Sequence, residues 1–217
     1  MSLPPGEPTF NLMPPLPAAR PVIAARAARA GRPRSAQAEA AILAAAIELL
    51  LEHGFEAMSI GQLAARAGVG KATIYRRWSS KLEVVIAALA QLSPPPPAVD
   101  TGSTVGDLLE LISRRVADMT RTGRHLLIPR LTAELRNNPE LRDPLVEKVV
   151  APGLAPVRAI FERGIERGEL RADLDPDLAV DLVAGPFIYR LVRGAELDQI
   201  LDDAPSVIAA VMKGIGR

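Results

Sequence analysis

Apolar residues recur at helical spacing through most of the chain, and the runs break at glycine and proline. The first clear run sets Ile42, Leu43, Ala46, Ile47 and Leu50 on one face, which predicts a helix from about Ser35 to His53. Gly54 is a natural stop, and Phe55 turns a large side chain back towards the core. Ser59-Ile60-Gly61-Gln62 reads as a capping box for a short helix through Leu63, Ala64 and Ala67. Gly68-Val69-Gly70 makes a tight turn, and a second short helix follows from Lys71 to near Trp78. Ser80-Lys81-Leu82-Glu83 is another capping box. It opens a helix to about Leu92, which Pro94 to Pro97 end abruptly.

The remainder reads as five or six further helices. Thr104-Val105-Gly106-Asp107 caps one to about Thr122, and another spans His125 to Asn137 with Pro129 near its start. Asn138-Pro139 opens a third, which Pro144, Pro152 and Pro156 divide into two pieces ending near Gly168. Asp175-Pro176 starts a helix to about Gly194, bent at Gly185-Pro186, and the last runs from about Asp198 to Gly214. Period-2 alternation is scarce, so the expected fold class is all-α. A helix-turn-helix domain over 35–92 joins a helical bundle over 98–217, preceded by a Pro/Arg-rich flexible tail over 1–34.

Composition narrows the function classes. A chain of 217 residues that is 48% hydrophobic can bury a sizeable core. It has no cysteine, which removes disulfides and thiolate metal sites. Prolines interrupt every apolar stretch of the first 30 residues, so no signal peptide is read there. No apolar run reaches the ~20 residues of a membrane span, and a cytoplasmic location without membrane attachment is expected. Residues 1–92 carry ten Lys/Arg against six acids, a net +4, which leaves −3 for the rest of a chain whose total is +1. A basic N-terminal third suits a polyanionic partner at one end only.

Two short helices joined by a glycine-bearing turn, behind a longer supporting helix, form the helix-turn-helix pattern. Ile60, Leu63, Ala64, Val69, Ile74 and Trp78 supply its small core. The second helix then presents Lys71, Ala72, Thr73, Tyr75, Arg76 and Arg77 to a major groove. Lys71, Ala72 and Thr73 stand where a recognition helix meets base edges, and Tyr75, Arg76 and Arg77 are placed for phosphates. Ser59 and Lys81 join the candidate DNA contacts, with Arg32 and Arg34 as a basic arm. Gly68-Val69-Gly70-Lys71-Ala72 is not a phosphate-binding loop, because that motif needs glycine where Ala65 stands and Ser or Thr where Ala72 stands.

Residues 59–82 resemble the DNA-binding signature of the TetR family of bacterial regulators. The resemblance rests on Gly68-Val69, Thr73-Ile74-Tyr75, Trp78 and Lys81 at the family's spacing, and on Ile42, Ala46 and Gly54-Phe55 in the preceding helix. Gly70 replaces a frequent Ser or Thr, Trp78 a more usual Phe or Tyr, and the tail is longer than usual. The resemblance implies phosphate contacts from Tyr75 and Lys81 and an all-helical domain for ligand binding and dimerisation. It implies a homodimer on a palindromic double-stranded operator, released by a small apolar effector. The dimer interface is expected on the last two helices, at Leu178, Leu182, Phe187, Leu191, Ile200, Val207, Ile208 and Val211. Candidate ligand contacts are Met119, His125, Leu127, Arg130, Leu131, Glu134, Ile160, Phe161 and Tyr189.

Residues 98–217 contain no catalytic motif, so an enzyme is not expected, and neither is a cofactor or metal. Asp173, Asp175 and Asp177 are read as caps around Pro176. The alternative is a helical ligand-binding or enzymatic module whose helix-turn-helix does not bind DNA. The resemblance implies a repressor, although the residues themselves do not decide between repressor and activator.

Overall fold

The computed structural model describes residues 34–216. Its helices are α1 (Arg34–Ala57), α2 (Ile60–Ala67), α3 (Lys71–Tyr75), α4 (Lys81–Leu92), α5 (Thr104–Thr122), α6 (Leu127–Asn137), α7 (Pro139–Leu145), α8 (Ala151–Glu166), α9 (Pro176–Val192) and α10 (Leu197–Ile215). The expected tail falls almost wholly outside the described residues, Arg32 included, while Arg34 opens α1. No helix among the described residues is long and apolar enough to cross a membrane.

Serine caps start the helices that set the architecture. Ser59, Ser80 and Ser103 each take extended backbone angles and accept the N–H three residues on. At α5 the cap is Ser103 rather than Thr104, which is already helical. At α4 the reciprocal half of the expected box is displaced by one residue: Glu83 Oε2 accepts from Ser79 N at 2.7 Å, not from Ser80. Proline acts as the pattern implied at Pro129 and Pro139, both in first turns where an N–H is dispensable. Between α7 and α8 the backbone widens into one π-helical turn, Val146–Val150, where Ala151 N donates to Val146 O. Pro152, which has no N–H to give, follows directly.

Two buried clusters organise the molecule. One gathers α1, α2, α3 and α4 around Ile42, Leu50, Leu63 and Ile74, and it also takes Leu127 from α6 and Leu141 and Leu145 from α7. The other joins α5, α8, α9 and α10 around Leu111, Phe161, Val183 and Ile208. The cores therefore do not divide at the proline run of residues 94–97. Helices α6 and α7 follow it in sequence but contribute to the N-terminal core, while Ile128 of α6 packs against the C-terminal one.

The seam is fastened at the end of α1. Gly54 adopts φ +80°, ψ 174°, which is open only to glycine without strain. This turn aims Phe55 N at Glu134 of α6, which accepts at 3.2 Å, and leaves the Phe55 ring buried. A Cβ on Gly54 would collide with the Glu134 carboxylate and would lie 2.5 Å from Arg130 Nη2.

A second fastening holds the segment before α5. Asp107 is fully buried, and its Oδ1 accepts from Thr101 N at 2.5 Å and Thr101 Oγ1 at 2.8 Å. Its Oδ2 accepts from Arg163 at 3.0 Å, and that guanidinium also donates to Val99 O at 2.6 Å. Burial pushes the Asp107 carboxyl up, but these hydrogen bonds and the Arg163 charge hold it below the usual aspartate range.

Two predictions follow from these fastenings. Gly54→Ala should destabilise by about 2 kcal/mol, from the backbone angle and the displaced Glu134 together, read as a lower urea midpoint. Asp107→Asn should cost about 2 kcal/mol at pH 7. A lowered carboxyl stabilises fully above the ordinary pKa near ~4 and loses its effect as pH falls through the depressed value. The gap between wild type and Asp107→Asn should therefore close on acidification below about pH 4; a gap that widens there would contradict this role.

Candidate nucleic-acid interface and internal cavities

Helix α3 is a turn and a half long, and one residue anchors it. Ile74 is fully buried between α1 and α2, while Trp78, beyond the helix end, packs half-buried on the same cluster. The regular helix ends at Tyr75 and a closing turn carries the chain on to Trp78: Arg77 N bonds Ile74 O in a tighter i to i−3 step, and Trp78 N keeps an i to i−4 bond to the same carbonyl. The turn before it depends on Gly68 at φ +65°, with Val69 N bonded to Ala64 O at 3.0 Å. Gly70 caps α3 without a side-chain hydrogen bond, as its missing side chain requires.

This seating leaves Lys71, Ala72, Tyr75 and Arg76 exposed on one surface, with Tyr75 55% exposed and Thr73 half-buried at its edge. The Lys71 stem runs beside Gly61, where a methyl would sit 3.5 Å from its Cε. Ser59 is exposed beside this surface, but its oxygen is committed to the cap of α2 and accepts from Gln62 N at 3.3 Å.

Two cations of the expected set face inward. Arg77 Nη2 donates to Ser35 O at 2.8 Å and to Ser35 Oγ, and its Nε lies 3.6 Å from Glu39. Lys81 Nζ donates to Phe55 O at 2.7 Å and Glu56 O at 3.3 Å, and sits 4.3 Å from the centre of the Phe55 ring. Both side chains bind the start or the end of α1. Charge and spacing gave no sign of this, because the partners are backbone carbonyls from another helix.

The expected ligand residues scatter. Met119 lines a partly open pocket of about 110 Å³ bordered by α5, α8, α9 and α10. Ile160 lines a separate cleft of about 240 Å³ between Pro96 and α8. Leu127 and Leu131 pack into the N-terminal core, and Arg130 and Glu134 meet Gly54 instead of a cavity. His125 Nδ1 lies 3.4 Å from Met119 O. Phe161 is fully buried in the C-terminal core. Tyr189 is 62% exposed, so it is corrected from a cavity residue to a surface one.

The expected interface residues also separate. Leu178 and Leu182 are exposed, at 50% and 43%, and share a face of α9 with Gly185 and Tyr189. Phe187 and Leu191 are buried within the protomer, as are Ile200 and Ile208 of α10, so these four are removed from the candidate interface. The reason is angular: from Leu178 to Phe187 is nine residues, or about two and a half turns, which is the opposite side of the helix. Val207 and Val211 are half-buried against the same core, and Leu201 is exposed. Asp175 caps α9 by accepting from Asp177 N at 2.9 Å, Asp177 pairs with Arg158, and Asp173 lies 3.6 Å from Arg171.

Sequence reasoning missed Arg115, the single charged residue lining the smaller cavity. A signal was present: Leu108, Ile112, Arg115 and Met119 lie at i, i+4, i+7 and i+11, an apolar stripe with one arginine in it.

Comparison with known proteins agrees with this geometry. The family model described as "Bacterial regulatory proteins, tetR family" matches residues 42–88, and "Tetracyclin repressor-like, C-terminal domain" matches residues 98–207. The uncharacterized HTH-type transcriptional regulator YdeS of Bacillus subtilis is 36% identical over 75% of this chain and 82% of its own. The DNA-binding transcriptional repressor TetR of Mycobacteroides abscessus is 32% identical over 78% of this chain and 92% of its own. Among solved structures, the regulator FadR of Bacillus subtilis in complex with stearoyl-CoA shares the fold, with a TM-score of 0.63 at 24% identity over 81% of this chain and 98% of that one. An exposed face on a firmly seated α3, a helical second domain and matches over both parts make this chain a member of the TetR family of bacterial DNA-binding transcriptional regulators.

Proposed function

We propose that the protein is a homodimeric repressor acting in the cytoplasm, which binds a palindromic operator through α3 of each protomer and leaves it when a small, largely apolar ligand occupies the second domain. The observation that carries this reading is the face of α3. Lys71, Ala72, Tyr75 and Arg76 stand clear of the protein while Ile74 holds the helix rigidly from behind.

Lys71, Ala72 and Thr73 meet base edges, and Tyr75 and Arg76 meet phosphates. Arg77 and Lys81 hold α1 against α3 and α4. They orient the recognition helix, and any phosphate contact they make is secondary.

Two α3 helices must reach successive major grooves, roughly 34–36 Å apart. The exposed stripe Leu178, Leu182 and Tyr189 on α9, beside Leu201 on α10, is the surface through which two copies pair. A ligand acts by favouring one spacing of the α3 pair over another. Glu134 on Phe55 N carries a shift of α6 directly to the supporting helix.

Selection from random duplex DNA, sequenced after binding at two salt concentrations, tests the whole reading. A palindromic consensus whose affinity falls steeply with salt is expected. No enrichment and no salt dependence would sink it. Arg76→Ala should weaken binding across all sequences and lower the salt slope by about one, whereas Lys71→Ala and Thr73→Ala should alter base preference. Leu182→Glu should yield a folded monomer by sedimentation with much weaker operator binding; a dimer that survives this change places the interface elsewhere.

A further inference from the structure

The cavity among α5, α8, α9 and α10 has apolar walls with one exception. Leu108, Ile112, Met119, Leu154 and Phe187 face it, and so does Arg115. The Arg115 guanidinium donates from Nη2 to Gly153 O of α8, a neutral acceptor. Among the described residues, no carboxylate lies within 4.0 Å of it. The acid three residues on, Asp118, is taken by Arg121 and by Arg124, the latter at 3.0 Å. Burial pushes the Arg115 pKa down and the Arg124 cation pushes it the same way, while the charge of Asp118 offsets part of this. Beyond the pocket wall, Asp118 is thus shared by Arg121 and Arg124, and Arg115 is the one charged residue that lines the pocket itself. The half-buried Arg115 guanidinium has no counter-ion within reach, so an anion entering the pocket finds a cation whose charge is not already answered.

We propose that this cavity binds a small carboxylic acid, with its apolar body among the aliphatic wall and its carboxylate paired with Arg115. The inference rests on the ligand-released regulator described above and names the class of that ligand. A volume of about 110 Å³ is below the ~150 Å³ of an apolar cavity that holds benzene, so it takes a short branched chain whole and a single ring only with part of it at the open side. The guanidinium has donors to spare for a carboxylate while it keeps the Gly153 carbonyl. A path to the DNA-binding side is in place. Asp118 holds Arg124, whose Nη1 donates at 3.1 Å to Leu92 O, the last carbonyl of α4. An anion on Arg115 changes the charge balance around Asp118 and Arg124, and so the hold on the end of α4.

Calorimetric titration of the full-length protein with benzoate and 3-methylbutanoate, each against its neutral amide, tests the proposal. The acid is expected to bind at least tenfold more tightly than its amide. Arg115→Met should bring that ratio close to one while leaving amide binding intact, and Arg115→Lys should keep part of the preference. Should Arg115→Met not fold, judged by circular dichroism, the wild-type ratio and the lysine variant decide. Equal binding of acid and amide, binding of neither, or a preference that survives Arg115→Met would overturn the assignment. Operator affinity of the same samples separates this from the regulatory reading. Acid binding through Arg115 with unchanged operator affinity supports the site and sinks ligand release. Release by neutral compounds with no acid preference leaves ligand release standing and sinks the site.

Discussion

The peptide at Phe55 is gripped from both sides. Its N–H donates to Glu134 of α6, and its carbonyl accepts from Lys81 of α4, whose ammonium also lies over the Phe55 ring. Gly54 makes the grip possible by leaving the helix through a backbone angle closed to other residues. The end of α1 is therefore the point where supporting helix, connecting helix and second domain meet. Helix α3 has only Ile74 fully buried, so its direction depends on α1 and α2 being held in place. A rigid reader built on so short a helix needs this external frame.

The same frame couples the parts. Because α6 and α7 contribute Leu127, Leu141 and Leu145 to the N-terminal core, motion in the second domain cannot leave the first untouched. A packed core transmits a displacement instead of absorbing it. Charged groups add a second set of ties: Glu134 to Phe55, Arg124 to Leu92, and Asp107 to the segment that precedes α5.

Two charged groups of the second domain, buried Asp107 and half-buried Arg115, are held in opposite ways. Asp107 is surrounded by donors, and its charge is answered by Arg163. Such a satisfied cluster fixes the path of the chain. Arg115 has only a neutral carbonyl and faces an apolar cavity. The contrast separates an arginine that organises structure from one poised to meet a ligand.

The sequence by itself determined the local grammar of this protein. Serine caps at Ser59 and Ser80, glycine stops at Gly54 and Gly68, and the 3.6-residue period of Ile42 to Leu50 depend on neighbours within a turn or two. The helix-turn-helix and its outward residues were legible for the same reason. Tertiary structure decided which face of an all-round apolar helix turns inward, as with Leu182 and Phe187 on α9, because both faces carry similar residues. It also decided where long cationic side chains end. Arg77 and Lys81 read as phosphate contacts in one dimension, but they reach carbonyls of α1 only once the helices are assembled. Arg115 becomes meaningful the same way, since its cavity is built from four helices whose contact no local pattern encodes.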